Sequence, residues 1–126
     1  LNLPHTPGKR PRPPRGMEKL TEVTAFLGRN YGEELSVATV ARAVRLHPKY
    51  LLALFRKSCG MTLWEYVTRL RLAHAQRLLF TTDRTVLDIA MEAGFGSASA
   101  FYHAFQKHER RSPSKFRDRP SLTADA

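Results

Sequence analysis

The sequence predicts an all-α domain built from two helix-turn-helix units that are joined by one long helix. Apolar residues recur at spacings of three and four along most of the 126 residues, as they do on one face of an α-helix. No stretch alternates polar and apolar residues convincingly, so strands are not expected. The pattern of the first half also returns in the second half, which is typical of a duplicated unit.

Both ends of the chain differ in composition from the middle. Residues 1–16 hold five of the eight prolines and four basic residues without an acid. Proline at this density opposes helices and sheets, so we expect a disordered linker that leads back to an N-terminal domain missing from this chain. The alternative is a basic arm that touches DNA phosphates. The folded domain is expected over 17–118, and a disordered tail over 119–126.

The first unit is expected over about 18–60. An apolar stripe begins near Met17 and ends near Asn30, which lies between Gly28 and Gly32. Ser36 is suited to the N-cap of a short helix. Pro48 is suited to the first turn of the next helix, which Gly60 ends.

The linker helix is expected over about 62–79, because Thr62 and Glu65 have the spacing of a capping box. Its length is about 27 Å at 1.5 Å per residue. Successive major-groove faces of a duplex lie about 34 Å apart, so such a rod would let two units reach one side of DNA. The second unit is expected over about 85–118, with its longer helix capped by Ser97.

The two halves match at two offsets. An offset of 49 and then of 50 relates six pairs of residues: Val37 and Val86, Ala41 and Ala90, Leu46 and Phe95, Phe55 and Phe105, Lys57 and Lys107, Tyr66 and Phe116. Each half is a short helix, a turn, a longer helix and a segment with an aromatic. A short helix, a turn and a second helix make up the helix-turn-helix plan, in which the second helix enters the major groove.

The charge of the chain points to a polyanionic partner. The formal net charge is +10 and the pI is about 10.5, and nucleic acid is the commonest partner of so basic a domain. The lone cysteine, Cys59, excludes an internal disulfide and fits a cytoplasmic protein. No apolar run is long enough to cross a membrane.

An enzyme is not expected. Cys59 has no neighbours that suggest activation, and the five histidines are scattered. No zinc-ligand spacing and no phosphate-binding glycine loop is present, so no metal or cofactor is expected.

Several stretches resemble one protein family. Residues 88–105 read DIAMEAGFGSASAFYHAF and residues 112–117 read SPSKFR, with support from 51–57 and 60–62 in the first half. These stretches are similar to those of the arabinose-operon regulator (AraC/XylS) family of bacterial transcription factors, over about 18–117.

The resemblance implies about seven helices and an asymmetric double-stranded DNA site bound by a single chain. It also implies a separate effector-binding or dimerisation domain in the parent protein, and for many members activation through contact with RNA polymerase. The fragment itself is expected to be monomeric. Two departures stand out: Ala100 replaces an arginine common in the family, and residues 109–111 replace a glycine. The second departure predicts a different helix end, because an arginine in a left-handed conformation costs roughly 1 kcal/mol or more.

Eleven residues are candidates for DNA contact, because they lie opposite the apolar stripes of the two second helices: His47, Lys49, Leu52, Ala53, Arg56, Lys57, Ala98, Ser99, Tyr102, His103 and Lys107. Lys49 is suited to guanine, whereas Arg56 and Lys57 are suited to phosphates. Leu52 and Ala53 either pack on thymine methyls or make the first unit a weak reader.

In the second unit, Ser99 and His103 are suited to base edges or phosphates, while His103 is alternatively a plain solvent-facing residue. Tyr102 fits a core contact and a phosphate donor equally well. The large aromatics Phe55, Phe105 and Trp64 are expected in the core.

Two other functions remain open at this point: a helical RNA-binding protein, and a basic protein-interaction module. Neither needs two matched recognition units. Within the linker helix, Arg71 is a candidate ion-pair partner of Asp88 or Glu92, and otherwise belongs to a solvated basic face.

Overall fold

The computed structural model describes residues 15–118, and within them the chain forms seven α-helices and no strand. This confirms the all-α prediction. The linker, basic-arm and tail predictions fall mainly on 1–14 and 119–126, outside the described residues. The helices are α1 (Arg15–Asn30), α2 (Val37–Val44), α3 (Pro48–Cys59), α4 (Leu63–Thr81), α5 (Val86–Glu92), α6 (Ala98–Glu109) and α7 (Pro113–Asp118).

The helices begin where side-chain oxygens satisfy backbone N–H groups. The Ser36 hydroxyl accepts from the Thr39 N–H at 3.1 Å, and the Ser97 hydroxyl accepts in the same way at the start of α6. At α4 both halves of the predicted capping box form, because Thr62 accepts from the Glu65 N–H and Glu65 accepts from the Thr62 N–H. The helix starts are therefore local properties of the sequence.

Two separate cores lie along α4. The first core joins α1, α2 and α3 to the beginning of α4, through Leu63 and Val67. The second core joins α5, α6 and α7 to the rest of α4, through Leu72, Ala75 and Leu79. The linker helix therefore contributes side chains to both helix-turn-helix subdomains.

The internal repeat also appears in the backbone hydrogen bonds. The Leu46 N–H donates to the Ala41 carbonyl at 2.9 Å, and the Phe95 N–H donates to the Ala90 carbonyl at 3.0 Å. These four residues are related by the offset of 49 found in the sequence. The structure therefore uses the same turn twice, between α2 and α3 and between α5 and α6.

Aromatic pairs repeat at the other offset. The rings of Phe55 and Tyr66 lie 5.3 Å apart and edge-on, and the rings of Phe105 and Phe116 lie 5.2 Å apart in the same arrangement. Edge-to-face pairs of this kind contribute about 0.5–1.5 kcal/mol beyond their buried area. Each pair holds its second helix against the segment that follows.

Helices α3 and α6 end in the same conformation, so the prediction of a different end for α6 is wrong. Gly60 ends α3 with φ +72°, and Arg110 ends α6 with φ +60°. A non-glycine residue in this left-handed conformation costs roughly 1–2 kcal/mol. The end of α6 is therefore strained where a glycine would not be.

Candidate nucleic-acid interface

Helix α3 exposes the predicted first recognition face. Leu51 and Phe55 are fully buried and fasten one side of the helix to the first core. The opposite side is exposed and contains all the α3 candidates: Lys49, Leu52, Ala53, Arg56 and Lys57. Burial of one side thus orients the other side toward solvent.

His47 has a structural role that the sequence analysis did not predict. Its Nδ1 accepts a hydrogen bond from the Lys49 N–H at 3.1 Å, so the ring is the N-cap of α3. The offset of 50 pairs His47 with Ser97, the N-cap of α6. The internal repeat therefore held the signal that was missed.

Helix α6 exposes the second predicted face. Phe101 and Phe105 are fully buried, and Ser99, His103 and Lys107 on the other side are exposed. Ala98, at the first helical position, is half-buried. The α6 candidates other than Ala98 are therefore open to solvent.

Tyr102 combines a contact with the core and an exposed surface. The side chain is 41% exposed, yet its ring lies 6.1 Å from the buried ring of Phe101. Its body thus packs on the core while part of its surface remains accessible.

Phe55 and Phe105 lie in the core as predicted, since both are fully buried and hold α3 and α6 in place. Trp64 of α4 is only half-buried against the first core, so it is less buried than predicted.

The beginning of α4 lies between the two recognition faces. Arg56 Nη1 of α3 is 3.9 Å from Glu65 Oε1, and both ion-pair partners are exposed. The pKa of Glu65 is lowered, chiefly by hydrogen bonds with the Thr62 backbone and side chain and further by the charges of Arg56 and Lys107. Glu65 thus lies 3.9 Å from Arg56 of α3 and lines the same depression as Lys107 of α6.

Two depressions flank this carboxylate. A cavity of about 250 Å³ separates α6 from α4 and is lined by His103, Lys107 and Arg69 among others. A more apolar one of about 510 Å³ lies beside α3 and is lined in part by Leu52 and Ala53. Trp64 lines both depressions, so the two helical faces are neighbours on one surface.

Gln106 is an exposed α6 residue that the candidate set lacks. The offset of 50 pairs it with Arg56, and it lies one helical turn after the candidate Tyr102. The internal repeat could have added it to the set. It belongs to the same exposed face as His103 and Lys107.

The sequence suggested Asp88 or Glu92 as the ion-pair partner of Arg71, but Arg71 pairs with neither of them. Its Nε donates to the Tyr31 carbonyl at 2.7 Å, and its Nη2 donates to the Glu33 carbonyl at 3.0 Å. Glu92 instead lies 3.5 Å from Arg84. Partial burial lowers the pKa of the Arg71 guanidinium, although arginine remains charged in proteins.

Across residues 15–118 the structure has no group of three or more side chains that could hold a metal ion. None of the helices in this part of the chain is long and apolar enough to cross a membrane.

Comparison with known proteins identifies the family of this fold. The model of a helix-turn-helix domain matches residues 40–119. A transcriptional regulator from Chromobacterium violaceum, described as having an AraC-type DNA-binding domain, superposes with a TM-score of 0.76. It is 28% identical, and the match covers 84% of this chain and 95% of that one. The chain belongs to the AraC-type helix-turn-helix family.

Two further AraC-type relatives agree with this assignment. The melibiose operon regulatory protein of Escherichia coli K12 is 36% identical over 98 residues, which cover 78% of this chain and 32% of that protein. The DNA-binding domain of AdpA, solved in complex with a target DNA, has a TM-score of 0.75 and 29% identity, covering 79% of this chain and 90% of that one. The predicted family is thereby confirmed, and the chain corresponds to the DNA-binding domain of these relatives. The chain spans about a third of the length of the melibiose regulator.

Proposed function

We propose that α3 and α6 enter adjacent major grooves of one DNA duplex and select its sequence. The observation that carries this proposal is that the exposed faces of both helices flank the beginning of α4: Arg56 of α3 lies 3.9 Å from Glu65, and Glu65 lines the same depression as Lys107 of α6. Because both faces lie on one surface of the molecule, a single duplex is proposed to meet them in successive major grooves, whose faces lie about 34 Å apart.

In α3, Lys49 is assigned to guanine O6 and N7, and Lys57 to a phosphate. Arg56 is assigned to a second phosphate. Its ion pair with Glu65 is long and exposed, and such pairs contribute little, so the side chain is free to leave it. Because the Nδ1 of His47 caps the helix, its Nε2 is the atom assigned to DNA.

The middle of α3 offers no polar group to a base. Leu52 is 39% exposed beside Ala53, and both line the apolar depression next to Trp64. Apolar side chains of this size pack on the thymine C5-methyl group. We therefore assign Leu52 and Ala53 to thymine contacts.

In α6, Ser99 and His103 are assigned to base edges, and Tyr102 and Lys107 to phosphates. Ala98 stands at the first helical position, where a small side chain lets the duplex approach the helix N-terminus.

We propose that the whole protein is a cytoplasmic activator that contacts RNA polymerase, as many members of the family do, and that it has no catalytic activity. The fragment is proposed to bind as a monomer, with any dimerisation residing in an N-terminal domain of the parent protein.

The decisive experiment is the selection of bound sites from random duplexes, followed by affinity measurements across a salt series. We expect one recovered sequence to bind at least about a thousand times more tightly than its scrambled version at physiological salt. Equal affinity for scrambled DNA, for structured RNA or for an acidic polypeptide would favour the RNA-binding or protein-interaction alternatives.

Lys57→Ala is expected to weaken binding to every duplex and to reduce the slope of log affinity against log salt by about one unit. The reason is the loss of one phosphate contact and its released counterion. Glu22→Ala on α1 is a control that removes an exposed charge from another helix. A loss restricted to the selected sequence would contradict the phosphate assignment.

His103→Ala is expected to relax base preference at one position of the second half-site, with a loss of about 1–3 kcal/mol against the preferred base. His108→Ala, a neighbouring exposed histidine of α6, is the matched control. Repeating the site selection with both variants measures the effect. An unchanged preference in His103→Ala would remove this residue from the base-reading set.

A further inference from the structure

A loop of the first subdomain reaches the middle of α4. Tyr31, which packs against the first core, is followed by Gly32 and Glu33 in the connection between α1 and α2. Arg71 holds this connection through the carbonyls of Tyr31 and Glu33. The Tyr31 hydroxyl lies 3.0 Å from His74 Nδ1, at hydrogen-bond distance, and the two rings meet edge-on. We call the packing of 31–33 on Arg71, His74 and Gly94 the loop contact.

Gly94, in the turn between α5 and α6, completes the loop contact. A Cβ atom at this position would lie 2.6 Å from the Tyr31 carbonyl oxygen and 2.9 Å from the Gly32 Cα. Real Cβ atoms do not approach backbone so closely, and the φ of +103° also disfavours any other residue. The turn that leads into α6 is therefore in direct backbone contact with the loop that leads into α2.

The loop contact adds a second connection between the two subdomains. The shared helix α4 is the first, but helices of this length bend. Contact with the turn before α6, away from the axis of α4, opposes bending and twisting of one subdomain against the other. Helices α3 and α6 are each fastened to their own core, so their separation follows that of the subdomains.

We propose that the loop contact sets the spacing between the two DNA half-sites that this protein accepts, with Tyr31, Arg71 and Gly94 as positioning residues that do not touch DNA. This inference rests on the proposed two-groove binding. When two DNA-binding units are held rigidly, the second unit has a high effective concentration at its half-site for one spacing only. When they are loosely joined, that effective concentration is lower but is shared among several spacings.

The test uses the duplex selected by the unaltered protein, together with versions that have one or two base pairs added or removed between the half-sites. Each added pair both separates and rotates the half-sites, so the unaltered protein is expected to lose about a hundredfold in affinity on a single-pair change. Arg71→Met removes both bonds to the loop while keeping an unbranched side chain. It is expected to reduce that preference to about tenfold or less, with unchanged affinity for a single half-site.

Arg77→Met is the matched control, because it removes an exposed arginine from the same helix outside the loop contact. It is expected to keep the unaltered spacing preference. Tyr31→Phe tests the same contact with a smaller change, and it decides the question if Arg71→Met fails to fold. Gly94→Ala is expected to act in the same direction as Arg71→Met.

The outcomes separate the two proposals. A flattened spacing profile in folded Arg71→Met or Tyr31→Phe, but not in Arg77→Met, supports the positioning role. A profile identical to that of the unaltered protein in the folded loop variants overturns it. If the unaltered protein itself prefers no duplex, the proposed function fails, and the positioning role fails with it.

Discussion

Phe105→Ala is expected to lower the free energy of unfolding by about 3–5 kcal/mol and to melt the second subdomain before the first. Phe105 is fully buried, and its ring meets those of Phe101 at 5.5 Å and Phe116 at 5.2 Å. Truncation leaves a cavity at the point where α6, α7 and α4 meet. The first core contains none of these three phenylalanines, so it is expected to survive the change.

Two signals measure this separation in one thermal or urea titration. The single tryptophan, Trp64, packs against the first core, so the main change in its fluorescence reports unfolding of the first subdomain, and the opening of the depression beside α6 contributes a smaller change. Helical circular dichroism reports all the helices. In Phe105→Ala we expect helicity to fall before the fluorescence changes. His103→Ala on the exposed side of α6 is the control. A single transition at the midpoint of the unaltered protein would show that Phe105 does not hold this core together.

Ala53→Glu is expected to weaken binding to all DNA sequences by several kcal/mol, about a hundredfold or more, without a comparable loss of stability. Ala53 is exposed in the middle of α3, and glutamate is a good helix former, so the helix tolerates the change. The new carboxylate would face the phosphates on either side of the groove. Repulsion between like charges therefore acts on every duplex.

Ala25→Glu on the exposed side of α1 is the matched control, since it adds the same charge to another helix. Affinity for the selected and scrambled duplexes, with melting temperature as the check on folding, measures the effect. If Ala53→Glu bound DNA as tightly as Ala25→Glu, α3 would not be the helix that enters the groove.

Most of the fold could be predicted because it depends on interactions between residues close in sequence. The capping box of Thr62 and Glu65, the proline at the start of α3 and the glycine at its end act within one helical turn. The same turn recurs at Leu46 and Phe95, so a pattern seen in one half supported the other. His47 was the local exception, because histidine is an unusual N-cap and its role is clear only from its equivalence with Ser97.

The exposed faces of α3 and α6 were predictable for the same reason, since helical periodicity places them opposite residues such as Phe55 and Phe105. The position of one face relative to the other could not be predicted from the sequence. Glu65 had the sequence pattern of a capping residue, yet folding also places it 3.9 Å from Arg56 of α3 and in the same depression as Lys107 of α6.

The sequence by itself determined the seven helices, most of their N-caps and which side of α3 and of α6 is exposed, because these depend on neighbours within a few residues. Only the tertiary structure decided the partner of Arg71, which is a backbone carbonyl 40 residues away, and the close approach of Gly94 to Tyr31 and Gly32. A charged side chain can be matched by any carbonyl or carboxylate that folding brings near it. Charge and spacing along the chain therefore predicted Asp88 or Glu92 as the partner of Arg71. The packing of the two subdomains instead brings the loop carbonyls to its guanidinium.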